Sequence, residues 1–248
     1  MTRQPNTTHE VVGDTRAGFL RKTGLGGAAL VGGGVLLARP GAAFAGHSDA
    51  IPDVDILNFA LTLEYLEATF YTQALGGGGV FGVPLVSSPV FSRDAITDSN
   101  IFAGFGGRIR STAYGYLTDI RDHEVLHVST LRTLIGAADA VGPCTFNFSS
   151  ALASVEAFVS TAKLLENTGV MAYDGAIRYV DAGAILQAGA EIATVEARHA
   201  AYLNLINRES PFPSPFDTGK TPNEILTAAS PFIVSCPPAV TALFGRLP

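Results

Sequence analysis

Cysteine is scarce in this chain: Cys144 and Cys236 are the only two in 248 residues, and both fall in Pro-containing stretches. Two cysteines are too few for a disulfide scaffold, and their surroundings do not resemble a zinc site. Basic side chains are scarce too, with 16 Lys+Arg, only three of them lysine, against 22 Asp+Glu. That balance repels a phosphate backbone, so nucleic acid is not an expected partner. Long apolar runs are also missing. The best, Gly24 to Ala38, is about 15 residues, short of the ~20 that a spanning helix needs. No membrane span is expected once the leader described next is removed.

The apolar run belongs to that leader. Thr15-Arg16-Ala17-Gly18-Phe19-Leu20-Arg21-Lys22 is basic, the uncharged run follows, and Ala43-Phe44-Ala45 offers an A-x-A cleavage site before Gly46. The order resembles a twin-arginine (Tat) export signal with Ala17 in place of the second arginine, so twin-arginine export and general secretion both stay open. Removing residues 1–45 takes away five of the 16 Lys+Arg and two of the 22 Asp+Glu. A more acidic chain remains, of a size for one domain with a substantial core. Its expected destination is the periplasm, cell wall or extracellular space, where Cys144 and Cys236 are free to pair.

Four long helices are expected in the mature chain. The first runs from about Val54 to Leu75, with Asp53 or Asp55 as its cap. Leu57, Ala60, Leu63, Glu64, Glu67, Phe70, Tyr71 and Ala74 recur along it at helical spacing. Two glutamates inside an apolar stripe need a partner or a metal. Residues 76–107, rich in Gly, Pro and Ser, read as a loop insertion. The second helix, about Arg108 to Ile135, stops at Gly136, and a link of about 15 residues follows. Such a link reaches up to ~50 Å when extended, and a 28-residue helix is ~42 Å long. The link can therefore cross the whole bundle. The third helix spans roughly Ala151 to Val180, with a kink expected at Gly169, and the fourth ends near Asn207. In the Pro-rich tail, 208–248, Thr221-Pro222-Asn223-Glu224 combines an N-cap, Pro at the first helical position and a capping-box Glu. A short helix should start there, Cys236-Pro237-Pro238 should return to loop, and Phe232, Ile233 and Val234 should be buried.

The chemistry lies in a repeated motif. Glu196 and His199 stand three apart in Thr194-Val195-Glu196-Ala197-Arg198-His199, and so do Glu124 and His127 in Asp122-His123-Glu124-Val125-Leu126-His127. With ten Glu and five His in the chain, chance predicts about 0.2 such spacings. The first helix also aligns with the third: Leu63-Glu64 with Leu165-Glu166, Tyr71 with Tyr173, Ala74 with Ala176. With Glu124-x-x-His127 laid on Glu196-x-x-His199, Leu131 aligns with Leu203, so the chain is a helix-pair repeat. Each copy supplies a Glu and a Glu-x-x-His, and the expected metal ligands are Glu64, Glu124, His127, Glu166, Glu196 and His199. Tyr71 and Tyr173 lie two turns from Glu64 and Glu166 on the same faces, as core tyrosines bonded to a ligand or as redox participants. Glu67 faces Gly169 in the repeat and is assigned to the surface or to a supporting contact. His123 is expected at the surface.

With this pattern, and with Leu57-Asn58-Phe59-Ala60-Leu61-Thr62-Leu63-Glu64-Tyr65-Leu66-Glu67, the chain resembles the ferritin-like superfamily. It looks most like the exported ferritin-like family that includes plant desiccation-related proteins. The resemblance covers about residues 50–207 and implies an all-α four-helix bundle over 46–207, with a long crossover between helices 2 and 3. It implies two divalent metal ions, iron ahead of manganese, reacting with dioxygen or peroxide in a ferroxidase- or oxidase-like way. Manganese-catalase chemistry and a stress-protective role with a structural metal site are the alternatives. The insertion and tail add bulk that a compact iron-storage cage subunit lacks, and the pattern does not specify an oligomer.

Overall fold

The computed structural model describes residues 51–181 and 183–248. The leader expected over 1–45 lies outside the described residues, as do 46–50. The rest is an all-α bundle with small additions.

Helix α1, Asp53–Leu75, has no Gly or Pro inside and stops at Gly76, whose φ of 82° a side chain disfavours. Its start differs from expectation. Pro52 is the N-cap, with no side-chain cap. Asp55 instead accepts two hydrogen bonds from Arg246, at 2.8 Å each, which ties the tail to the bundle. Asp53 accepts from the Asp181 amide at 3.0 Å. Nor does α1 bury a single stripe: Leu57, Leu61, Tyr65 and Ala68 are buried as fully as Phe59, Leu66 and Phe70. The 76–107 insertion supplies part of that cover. It contains the short helices α2, Arg93–Asp98, and α3, Asn100–Ala103. Its Val83 is fully buried in a cluster with Leu61 and Tyr65. A Cβ on Gly82 would collide with the Tyr65 ring, so the chain can approach that closely only as glycine.

Helix α4, Arg108–Ile135, is followed by the crossover. Asn58 donates to Asp139 O at 3.0 Å and accepts from Val141 N at 2.9 Å, and farther along Phe148 packs edge-on to Phe70 at 5.2 Å. The link therefore climbs along α1 from its first turns toward its last, and α5, Val155–Ala176, starts at the end opposite to where α4 stops. Ser154 caps α5 by accepting from Ala157 N. Gly169 does not interrupt α5, which is continuous through it. After a 3-10 turn at Ile177–Tyr179, α6 runs Gly183–Ile206.

The tail forms α7, Pro222–Ala229, opened by the expected capping box of Thr221 and Glu224. A two-stranded antiparallel sheet joins β1, Thr145–Phe146 in the crossover, to β2, Ile233–Ser235 in the tail. Beside it Cys144 and Cys236 are disulfide-bonded across 92 residues. Two tail expectations are corrected. The loop at Cys236-Pro237 ends sooner than expected: Pro238 takes the first position of α8, Pro238–Phe244, where its missing N–H costs nothing. Val234 is 62% exposed, because strand alternation points it away from half-buried Ile233. Among the described residues no helix is long and apolar enough to cross a membrane.

Candidate metal centre

Each long helix brings one or two acidic or imidazole side chains of the expected ligand set to the inside of the bundle. Glu64 comes from α1, Glu124 and His127 from α4, Glu166 from α5, and Glu196 and His199 from α6. The i,i+3 spacing puts each Glu-x-x-His pair on one face. Glu124, Glu166 and Glu196 have no exposed surface at all. Burying so many carboxylates without compensation is costly, so the contacts among them matter.

The six sequence-chosen residues form two groups. One is Glu64, Glu124, His127 and Glu196; the other is Glu124, Glu166, Glu196 and His199; within each group the ligand atoms lie within 4.8 Å of one another. Glu124 and Glu196 belong to both. His127 Nδ1 is 3.2 Å from Glu64 Oε2, 3.3 Å from Glu124 Oε2 and 3.3 Å from Glu196 Oε1. His199 Nδ1 is 3.0 Å from Glu166 Oε2 and 3.1 Å from Glu124 Oε1. The tyrosines cross over between the two halves: Tyr71 Oη donates to Glu166 Oε1 at 2.6 Å, and Tyr173 Oη donates to Glu64 Oε1 at 2.5 Å.

Electrostatics follow from burial and crowding. Burial pushes the Glu64 carboxyl up to about 7, against the pull of His127. Burial and then repulsion from neighbouring carboxylates hold Glu196 well above the usual range. Burial acts the same way on Glu124, but His127 and His199 outweigh it and hold that carboxyl low. His199 is pushed up to about 10 because Glu124 and Glu166 overcome the burial penalty on its charge. His127 is raised in the same manner, by Glu64 and Glu124. Both phenols stay protonated at neutral pH, raised first by burial and then by the carboxylates they bond.

Two residues make contacts that the sequence did not settle. Of the two places expected for Glu67, surface or supporting contact, the structure takes the second: it is 4% exposed, beside the cluster. Its carboxyl is raised by burial and by the charges of Glu196 and Glu166. The reason is Gly169: a Cβ there would lie 2.8 Å from Glu196 Oε2 and 3.5 Å from Glu67 Oε1. Glycine at the repeat position matching Glu67 was the signal, since it leaves room for carboxylates. His123 is exposed, as expected, yet its ring stacks on His199 with centroids 5.2 Å apart. Its Nδ1 is 2.9 Å from His199 Nε2. No spacing in the sequence points to that contact, because it joins α4 to α6.

The donor set fits a metal ion. Among the described residues, Glu124 Oε1 and both carboxylate oxygens of Glu196 are buried without a hydrogen-bond partner. The imidazoles near them are close in distance but poorly directed. A cation satisfies such oxygens, and imidazole with carboxylate suits a transition metal. A search of curated proteins finds no match. A family model described as a ferritin-like domain matches residues 52–209, the span from the start of α1 to just past α6. With four long helices, a crossover that climbs the bundle, and a buried Glu/His cluster at its centre, the chain belongs to the ferritin-like domain family.

Proposed function

We propose that the cluster holds two divalent metal ions, iron in preference to manganese, and that the protein reacts with dioxygen or peroxide as a ferroxidase or oxidase. The observation that carries this reading is the sharing of Glu124 and Glu196 by two four-residue groups. Glu64 and His127 would serve one ion, Glu166 and His199 the other, and Glu124 and Glu196 both. Two adjacent dications repel strongly, and four carboxylates neutralise their charge. When bound, a pair of ferrous ions supplies the two electrons that take dioxygen to the peroxide level.

The chain's own residues do the rest. Tyr71 and Tyr173 hold one oxygen each of Glu166 and Glu64, so the other oxygen, Oε2, stays turned toward an imidazole. Both phenols keep their protons at neutral pH and so act as donors. A phenol can also give up an electron, which suits stepwise iron oxidation; peroxide disproportionation needs no outside electron. That difference supports iron over manganese. The buried walls exclude bulk water and strengthen each of these contacts.

The test loads metal-free protein with ferrous iron or manganese and measures metal per chain and oxygen exchange. Two irons per chain with rapid oxygen consumption supports the reading. Oxygen release from peroxide by the manganese form alone makes it a catalase. Full occupancy with neither activity makes the site structural, in a protective protein. Export to the periplasm, cell wall or exterior belongs to the same reading, supported by the Cys144–Cys236 bridge. N-terminal sequencing of protein from its host should begin at Gly46; a retained Met1 would refute export.

A further inference from the structure

An apolar cleft lies at the end of the bundle where α1 and α6 begin and α4 and α5 end. Its walls include Ala60 of α1, Leu131 of α4, Tyr173 of α5 and Gly189 of α6. Ile177 and Leu186, 41% and 39% exposed, are its open side. No charged side chain lines it.

The position of these walls follows from helix geometry. Ala60 is four residues before Glu64, and Leu131 is four after His127. Tyr173 is seven after Glu166, and Gly189 is seven before Glu196. Four residues are about one turn and ~6 Å along a helix, and seven are about two turns and ~10 Å, on the same face. Every helix that carries a ligand of the centre thus also carries a wall of the cleft, on the same face and toward the same end. The cleft sits on the bundle axis, between solvent and the centre. Tyr173 joins the two: its ring is a wall, and its hydroxyl donates to Glu64.

The cleft leaves about 30 Å³ for a water-sized guest, somewhat more than the ~10–15 Å³ that one water requires. A diatomic molecule fits and a bulky organic one does not. Chemistry narrows the choice further. Hydrogen peroxide entering apolar walls gives up hydrogen bonds to water and finds none in return, whereas dioxygen has none to lose. We propose that this cleft is the port through which dioxygen reaches the centre, and that it favours dioxygen over hydrogen peroxide. The inference rests on the redox metal pair proposed above.

Gly189→Phe is the variant to make, because a Cβ at Gly189 meets no atom within 4 Å and the ring can turn into the open cleft. Crystals of the wild-type chain under xenon pressure should show xenon in the cleft, and G189F crystals should not. With ferrous iron loaded, the rate of reaction with dioxygen should fall several-fold in G189F, while iron per chain and the rate of oxidation by added peroxide stay at wild-type values. Three results overturn the port: no xenon in the wild-type cleft, an unchanged dioxygen rate in G189F, or an equal loss with peroxide. Wild-type protein that binds iron without consuming oxygen refutes the iron–dioxygen reading itself, and the port falls with it. That failure is visible before any variant is compared. Xenon occupancy is read on the wild-type chain, so the proposal stays exposed to refutation even if G189F folds poorly.

Discussion

Replacing Gly169 by alanine would put a methyl group 2.8 Å from Glu196 Oε2, 3.5 Å from the carboxyl carbon of Glu196 and 3.5 Å from Glu67 Oε1. Carbon and oxygen normally approach to about 3.3 Å, so the Glu196 carboxylate must move by roughly half an ångström. The energetic cost splits into two terms of opposite sign. Alanine in a helix interior is better than glycine by about 1 kcal/mol. Overpacking costs about 1–3 kcal/mol, at the low end here because the atom displaced is the tip of a flexible side chain. The stability of metal-free G169A should therefore lie within about 1 kcal/mol of wild type, by urea unfolding followed by circular dichroism. Metal binding should respond differently, because Glu196 belongs to both ligand groups. Disturbing a contact that orients a ligand costs about 10–100-fold in metal affinity, and a loss of that size is expected on titration with ferrous iron or manganese. Wild-type affinity in G169A would refute the view that Gly169 makes room for a ligating carboxylate. So would a loss of stability above about 3 kcal/mol, since that would make Gly169 a packing residue first.

Metal-free protein should lose stability as pH rises. Glu64 is raised from 4.5 to about 7 and His199 from 6.5 to about 10, so the folded state holds protons that the unfolded chain has released. Their contributions are complete below 4.5 and 6.5 and are lost as pH climbs through 7 and 10; urea midpoints at pH 6 and pH 9.5 check this, and a higher midpoint at pH 9.5 contradicts it. Reducing Cys144–Cys236, which closes 92 residues, should lower stability by about 4–5 kcal/mol in the chain-entropy model. Unfolded, unreduced mature protein should titrate no free thiol, and two thiols per chain would exclude the bridge. Removing His123, 2.9 Å from His199 Nε2, should weaken the proposed metal site that His199 serves by about 10–100-fold and spare the other proposed site. His123→Gln, whose amide can still accept from His199, should recover part of the loss; two-phase metal titration reads both variants, and equal affinities in all three proteins would remove His123 from the site.

The sequence alone determined the bundle and the six residues at its centre. Both are local or periodic facts: helix starts and stops depend on nearby residues, and a three-residue spacing fixes a shared face whatever lies opposite. The repeat then transferred the face of α1 to α5 and that of α4 to α6, so Glu64 and Glu166 could be paired with the two Glu-x-x-His motifs before any contact was known. The tertiary structure decided what depends on a neighbour distant in sequence. Asp55 looks like a cap and is instead a partner of Arg246, because the tail returns to the start of α1. Gly169 also accommodates carboxylates from α1 and α6, a role its place in the α5 sequence does not show. Glu67 is buried because Glu196 and Gly169 leave a place for it, and His123 reaches His199 across two helices. The all-round burial of α1 likewise depends on the insertion folding back against it, with Val83 packed beside Tyr65. Each of these contacts is set by packing between elements, and the one-dimensional pattern carries periodicity within an element but no distance between two of them.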